Sequence, residues 1–346
     1  MILFGVALVV AFMSALSIFL LSPYADRVGL VDVPNHRKLH SGNIPLVGGI
    51  SVYVGLASGI MLLTIPGMGF TTYLVCSSLI VVLGVMDDSW EISPKIRLVV
   101  QGLVALIMYF GAGLYISHAG NLFGLGEIYL GNAGILLTVI AVIAGINAFN
   151  MIDGVDGLLG ISSLITFLAL AVLFLLNSDM NGVYLSLLMV VALLPYLAAN
   201  MGFSPLRVQK IFMGDTGSML IGLTVVWLLV RGSQGGQPSF SISTALWLIA
   251  FPLMDMVRVM LWRIRAGKPV FEADRTHLHH LLSRGSSRHS VLVKICSLSA
   301  LFAVVGVVLE VSMRSPQKDA VIFLLFIASF VVYMVRLGKL EKKQLI

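Results

Sequence analysis

The chain has 346 residues, 58% of them hydrophobic and 11% charged, against a charged fraction of about 25% in ordinary globular proteins. A soluble protein of that length could not hide so much apolar surface, so the bilayer is its solvent. The net charge of +6 faces anionic headgroups and anionic solutes, and nothing in the sequence points to nucleic acid.

Eleven apolar runs are long enough, or nearly so, to span: 2–22, 46–65, 69–86, 98–116, 132–149, 157–177, 183–199, 213–230, 243–262, 291–312 and 319–336. The first has no basic residue before it and is too long for a secretory h-region, so it reads as an uncleaved anchor. Cys76 and Cys296 lie in separate runs and set no disulfide or metal spacing. With eleven spans the termini lie on opposite sides. The connections 23–45, 87–97, 150–156, 200–212, 258–294 and the tail from 336 hold 19 of the 22 Lys and Arg. The rest hold only Arg231, Arg314 and Lys318. The positive-inside rule puts the first set in the cytoplasm, the N-terminus in the periplasm and the C-terminus in the cytoplasm. The expected fold is all-α and polytopic, with about eleven transmembrane helices. It forms a single helical membrane domain over 1–346, with cytoplasmic catalytic loops at 23–45, 87–97, 150–156, 200–215 and 263–290.

The unusual residues crowd these inner loops. In the first, Asp32-Val33-Pro34-Asn35-His36-Arg37-Lys38-Leu39-His40 could meet a phosphate, or could be a basic juxtamembrane loop and no more. Asp87-Asp88 ends the third run, and Lys95 and Arg97 open the fourth. Adjacent carboxylates cannot share a helix face, so one can meet a metal while the other meets a nucleophile. The same acids could instead pair with Lys95 and Arg97 at the interface.

The sharpest segment is Asn147-Ala148-Phe149-Asn150-Met151-Ile152-Asp153-Gly154-Val155-Asp156-Gly157. Its two amides and two acids recur at a spacing of three, so on helical geometry they share a face. Simple capping is the alternative. Phe212-Met213-Gly214-Asp215-Thr216-Gly217-Ser218 opens the eighth run with free N–H groups at a helix N-terminus, which favours anions. An intramembrane aspartyl protease is disfavoured, because Phe212 stands where its motif has Gly and the partner acids lie at the membrane edge. In the last large loop, His277-Leu278-His279-His280 follows Arg275, which suits phosphate or carbonyl contacts or a metal; the spacing is not a zinc pattern. Asp255 has Arg258 one turn on, as an intrahelical or interhelical ion pair would. Like-charged carboxylates gathered at a low-dielectric boundary persist mainly where a cation offsets them, so a shared Mg²⁺-type site that handles phosphate is the expected chemistry.

Taken together, Asp87-Asp88, the Asn-x-x-Asn-x-x-Asp-Gly-x-Asp-Gly segment, Phe-Met-Gly-Asp-x-Gly-Ser and the His-x-His-His loop resemble the polyprenyl-phosphate N-acetylhexosamine-1-phosphate transferases. The motifs follow that family's order over essentially the whole chain. Its muramoyl-pentapeptide branch usually has three consecutive His followed by an acid. Here Leu278 interrupts the run and Leu281 follows it, which argues against a peptide-bearing sugar.

The resemblance implies transfer of GlcNAc-1-phosphate from UDP-GlcNAc to undecaprenyl phosphate, with release of UMP and a requirement for Mg²⁺ or Mn²⁺. It implies a multi-pass protein of the bacterial inner membrane making the first lipid-linked intermediate of an O-antigen or enterobacterial common antigen type of polysaccharide. Another UDP-N-acetylhexosamine is the alternative donor, and a homodimer is compatible. By the family's pattern Asp215 leads the metal ligands, with Asn150 and Asp88. Asp87, Asp88, Asp153, Asp156 and His279 form the catalytic set. Phe212 packs on uracil, Lys95 or Arg97 holds the diphosphate with Asn147 beside them, and Arg275, His277 and His280 meet the sugar and β-phosphate.

The acceptor is a monoester whose second pKa, near 6 by analogy with phosphoserine, leaves it largely nucleophilic at neutral pH. It needs positioning and shielding more than deprotonation, with Asp87 able to take any remaining proton. A covalent Asp-phosphosugar intermediate is the rival route. A multispan transporter would place its polar residues nearer the midplane, and a membrane phosphatase would release its product to water.

Overall fold

A computed structural model of the chain describes residues 2–34, 42–63, 69–203, 209–269 and 276–344. In chain order the elements are α1 (Ile2–Leu21), α2 (Ala25–Val28), β1 (Val31–Asp32), β2 (Ile44–Pro45), α3 (Gly48–Leu63), α4 (Phe70–Trp90), α5 (Pro94–Ala112) and α6 (Ala133–Met151). There follow α7 (Leu158–Leu176), α8 (Met180–Asn200), α9 (Gly214–Ser233), α10 (Ile242–Leu248), α11 (Ala250–Arg265), α12 (Leu278–Ser283), α13 (Arg288–Ser312) and α14 (Lys318–Gln344). The architecture is helical, as expected. β1 and β2 pair antiparallel over two residues each, with Val31 opposite Pro45 and Asp32 opposite Ile44.

Nine helices among the described residues are long and apolar enough to cross a membrane, or ten if α10 and α11 make one span. The sequence suggests about eleven, and two of its runs account for the difference. The run at 243–262 is not one straight rod, since α10 and α11 meet at 82°. Pro252 lacks the N–H that would bond the carbonyl of Leu248, so the helix breaks there. The Thr166 hydroxyl donates to that carbonyl at 3.0 Å, which stabilises the break from α7. The other run is α3, whose 16 residues extend about 24 Å against a hydrocarbon core of about 30 Å.

α9 is the axis of the bundle: nearly every residue from Thr216 to Ser233 is buried, and α3, α4 and α6 pack around it. Small residues permit the approach, as in other membrane helix pairs. A Cβ on Gly49 would lie 2.2 Å from the Gly217 nitrogen, and one on Gly84 would lie 2.3 Å from Thr216 Cα. The outer helices instead expose Phe4, Phe12, Phe110, Leu136, Leu168 and Leu324, the surface that lipid covers.

At one end of the bundle the backbone zips the first inner loop to the start of α9. Phe212 N–H donates to Pro45 O at 2.9 Å, and Gly48 N–H donates to Phe212 O at 3.0 Å. Gly49 N–H donates to Met213 O at 2.9 Å. The last turn of α4, the first turn of α5 and the last turn of α6 meet at this same end.

Candidate functional site

Asp87 and Asp88 leave the last turns of α4 in different directions, as adjacent helical residues must. Asp87 is buried and its Oδ2 lies 2.6 Å from Arg97 Nη1 on α5. The same guanidinium nitrogen stands 3.5 Å from Asp215 Oδ2. Asn150, at the end of α6, donates from Nδ2 to Asp215 Oδ1 at 3.0 Å. Four expected site residues from four helices therefore converge on one point.

Asp88 does something different. Its Oδ1 accepts the Asp215 N–H at 2.7 Å, and its Oδ2 accepts the Thr216 N–H at 3.1 Å and the Thr216 hydroxyl at 2.7 Å. The first donors of α9 have no partner within their own helix, and here a carboxylate from a neighbouring helix caps them, in favourable register with the helix dipole. Gly214, at φ +71°, leaves room for it: a Cβ there would lie 2.5 Å from Asp88 Oδ2.

The two acids of the Gly-rich turn after α6 also separate. Asp156 pairs with Lys210 Nζ at 2.6 Å, with Arg288 Nη1 at 3.8 Å. Lys210 lies over the Phe212 ring, 5.2 Å from its centroid. A recess of about 300 Å³ opens here, lined in part by Asp156, Phe203, Lys210 and Arg288. The Asp153 side chain makes no hydrogen bond or ion pair among the described residues. The residue is exposed, though protein packed around its carboxyl desolvates it in part. The surrounding protein, then the charges of Asp88, Asp156 and Asp32, push its pKa up to about 7.

The histidine loop closes over this turn. A Cβ on Gly154 would lie 2.2 Å from His279 Nε2, so glycine is what lets the ring rest on the backbone. His279 is buried, and its Nδ1 has no partner among the described residues. Burial, then the neighbouring His280 and His277, lower its pKa to about 3, so the ring is neutral at physiological pH. It stacks at 10° on His277, with centroids 5.7 Å apart, and lies 4.1 Å from His280.

Of the remaining expected residues, Asn147 donates to Gln101 Oε1 at 2.9 Å and to Ile143 O at 2.8 Å, one turn inside the Asp215 contacts. Lys95 is exposed and apart from the carboxylates, so Arg97 is the cation that reaches them. Arg275 and the stretch Asn35–His40 lie outside the described residues. Sequence reasoning missed Thr216, Lys210 and Gln101, whose ordinary composition gives no signal, and it read Asp255 only as the partner of Arg258.

Among the described residues no three His, Cys, Asp or Glu side chains form a ready metal cage. Mg²⁺ does not need one, since it commonly takes one or two carboxylates and completes its shell with water and substrate phosphate. Asp87 and Asp215, with the Asn150 amide, offer that donor set, and a single guanidinium nitrogen serves both acids. The residues present fit the ion.

The fold and site define a class: a multispan membrane enzyme whose carboxylates, arginine and capped helix N-terminus converge at one end of a helical bundle. Residues 70–233 match glycosyl transferase family 4. The chain is 43% identical over 319 residues to the undecaprenyl-phosphate alpha-N-acetylglucosaminyl 1-phosphate transferase of Salmonella typhi, covering 91% of this chain and 86% of that one. It is 43% identical over 323 residues to the protein of that name from Escherichia coli (strain K12), covering 92% and 87%. To the one from Yersinia pestis it is 40% identical over 317 residues, covering 91% and 86%. The chain belongs to the glycosyl transferase family 4.

Proposed function

We propose that this protein transfers GlcNAc-1-phosphate from UDP-GlcNAc to undecaprenyl phosphate and releases UMP. The observation that carries the reading is the meeting of Asp87, Arg97, Asn150 and Asp215 at one point, in a chain similar over nine-tenths of its length to transferases of that name. The working face is cytoplasmic, which the charge bias of the loops supports, and the membrane is the bacterial inner membrane. The whole chain acts as one helical domain, and its product starts a cell-surface polysaccharide of the O-antigen or enterobacterial common antigen type.

Asp215, with Asn150 and Asp87, would hold Mg²⁺ or Mn²⁺, which when bound supplies positive charge against the diphosphate. Arg97 adds a fixed cation on the same side. Asp88 holds the first turn of α9, and through it Asp215, rather than standing open to the ion. Lys210 and Arg288 line the recess with Asp156, and Lys210 also lies over the Phe212 ring, so a nucleotide's charge and ring would both find partners nearby. The histidine loop covers the sugar and β-phosphate.

Any proton left on the acceptor goes to Asp153 rather than Asp87. Asp87 is buried and held by Arg97, whereas Asp153 meets solvent and titrates near neutrality. The same pairing makes Asp87 a poor covalent nucleophile, which favours direct attack by the lipid phosphate. Purified protein given UDP-GlcNAc, Mg²⁺ and undecaprenyl phosphate should release UMP. Release of UMP without the lipid, or of sugar phosphate to water, would sink the reading.

A further inference from the structure

Asp255 is fully buried in α11, a place where an ionised carboxylate persists only if it is well paired. Arg258 Nη2 lies 3.1 Å from its Oδ1, the ion pair expected from sequence. The pair is only part of the arrangement. Tyr333 of α14 donates its hydroxyl to Oδ1 at 3.0 Å. Leu278 N–H donates to Oδ1 at 3.2 Å, at the first turn of α12. His277 Nδ1 lies 2.8 Å from Oδ2. The same Arg258 Nη2 also donates to the Thr276 carbonyl. One buried acid thus collects the start of the histidine loop, the bent helix and the C-terminal helix.

An ionised carboxylate only accepts, so His277 must carry a proton on Nδ1. The ring stacks at 10° on His279, which rests on Gly154 beside Asp153. Tautomer and plane of His277 therefore set the height of the whole histidine stack above the acidic turn.

We infer that Asp255 is a positioning residue for the transfer reaction, fixing the Nδ1–H tautomer and orientation of His277. The inference rests on the transferase reading for its kinetic consequence, though not for its structural one. An Asn at 255 keeps the volume but cannot accept from all four donors, because one of its two terminal atoms is itself a donor. The amide would face either Arg258 or the His277 N–H, and the ring would turn or change tautomer.

The test is a double-mutant cycle in the purified full chain with Asp255→Asn, His277→Ala and both together. Outer partners of metal-bound histidines are worth about 10- to 100-fold in affinity or activity, and the same scale applies to a histidine held by a buried carboxylate. We expect a loss of that size in kcat/KM for UDP-GlcNAc in Asp255→Asn, with UMP binding kept. The double variant should be no worse than the more severe single one, since Asp255 acts through His277. Losses that multiply, or a folded Asp255→Asn enzyme with wild-type kinetics, would overturn the inference. A second measurement serves if Asp255→Asn does not fold. The ¹⁵N histidine spectrum of the wild-type chain, assigned against His277→Ala, should report His277 protonated on Nδ1, and an Nε2–H tautomer overturns the assignment. That readout needs no turnover, so it decides the positioning role even if the transferase assay fails.

Discussion

Asp88 and Asp215 meet through the backbone rather than through a shared ion: Asp88 Oδ1 accepts the Asp215 N–H at 2.7 Å. The carboxylate of one helix therefore sets where the next one starts. Asp88→Ala should lower stability by about 0.5–2 kcal/mol, the usual scale for losing a helix cap, and should lower kcat because Asp215 shifts. Any rise in the Mg²⁺ concentration needed for half-maximal rate should come with that loss of stability, since Asp88 reaches the ion only through the α9 backbone. Thermal unfolding in detergent and a Mg²⁺ titration of UMP release check both parts. A stable variant with a raised metal requirement would return Asp88 to the ligand shell.

Asp215→Asn should behave in the opposite way. It removes a charge from a crowded acidic site without removing volume, so the protein should stay folded while turnover falls by orders of magnitude. Chelation with EDTA should abolish wild-type activity, and Mg²⁺ or Mn²⁺ should restore it. Near-normal turnover of Asp215→Asn at saturating Mg²⁺ would remove Asp215 from the metal site.

These two acids mark how far the sequence could be read. Their positions at the ends of apolar runs were legible, as was the shared end of the bundle, because period and charge are local properties. Their different roles were not, since Asp88 and Asp215 are 127 residues apart and only the packed helices bring them together. The amide–acid stripe was read as one face, yet Asn150 turns to Asp215, Asp156 to Lys210, and Asp153 to solvent. The stripe passes from α6 into a turn after Met151, where helical spacing no longer applies. The break before Pro252 was hidden for another reason: average hydropathy runs smoothly across a bend.

Asp153 gives the pH dependence. Its pKa in the fold, about 7, lies above the ordinary carboxylate value of about 3.9. The unfolded chain therefore ionises first. The stability linked to this group is full below pH about 4 and is lost as pH rises through about 7. Asp153→Asn should thus be more stable than wild type above neutrality, with the difference vanishing at acid pH. If Asp153 accepts the acceptor's proton, wild-type kcat/KM should climb through pH about 7 and the variant should lose that limb. Any limb left in the variant should sit near pH 6, from the lipid phosphate itself. An unchanged profile would end the proton-accepting role.

The histidine loop tests sugar recognition. His279 has a pKa near 3, so it meets the donor as a neutral ring, and a neutral hydrogen bond contributes about 0.5–1.5 kcal/mol. His279→Ala should therefore lower kcat/KM for UDP-GlcNAc by roughly 2- to 13-fold, by a factor constant from about pH 5 to 9. UMP affinity should survive if uridine sits, as proposed, by Phe212 and Lys210 rather than under the histidine loop. A loss that grows steeply at acid pH would mean that the ring acts as a cation. The loop also bears on the sugar's size. His279 rests directly on Gly154, with no space for a further atom between them, and Leu278 and Leu281 are buried beside it. A nucleotide carrying a muramoyl pentapeptide should be a poor substrate. If it turns over as fast as UDP-GlcNAc, the sugar assignment fails while membership of the family stands.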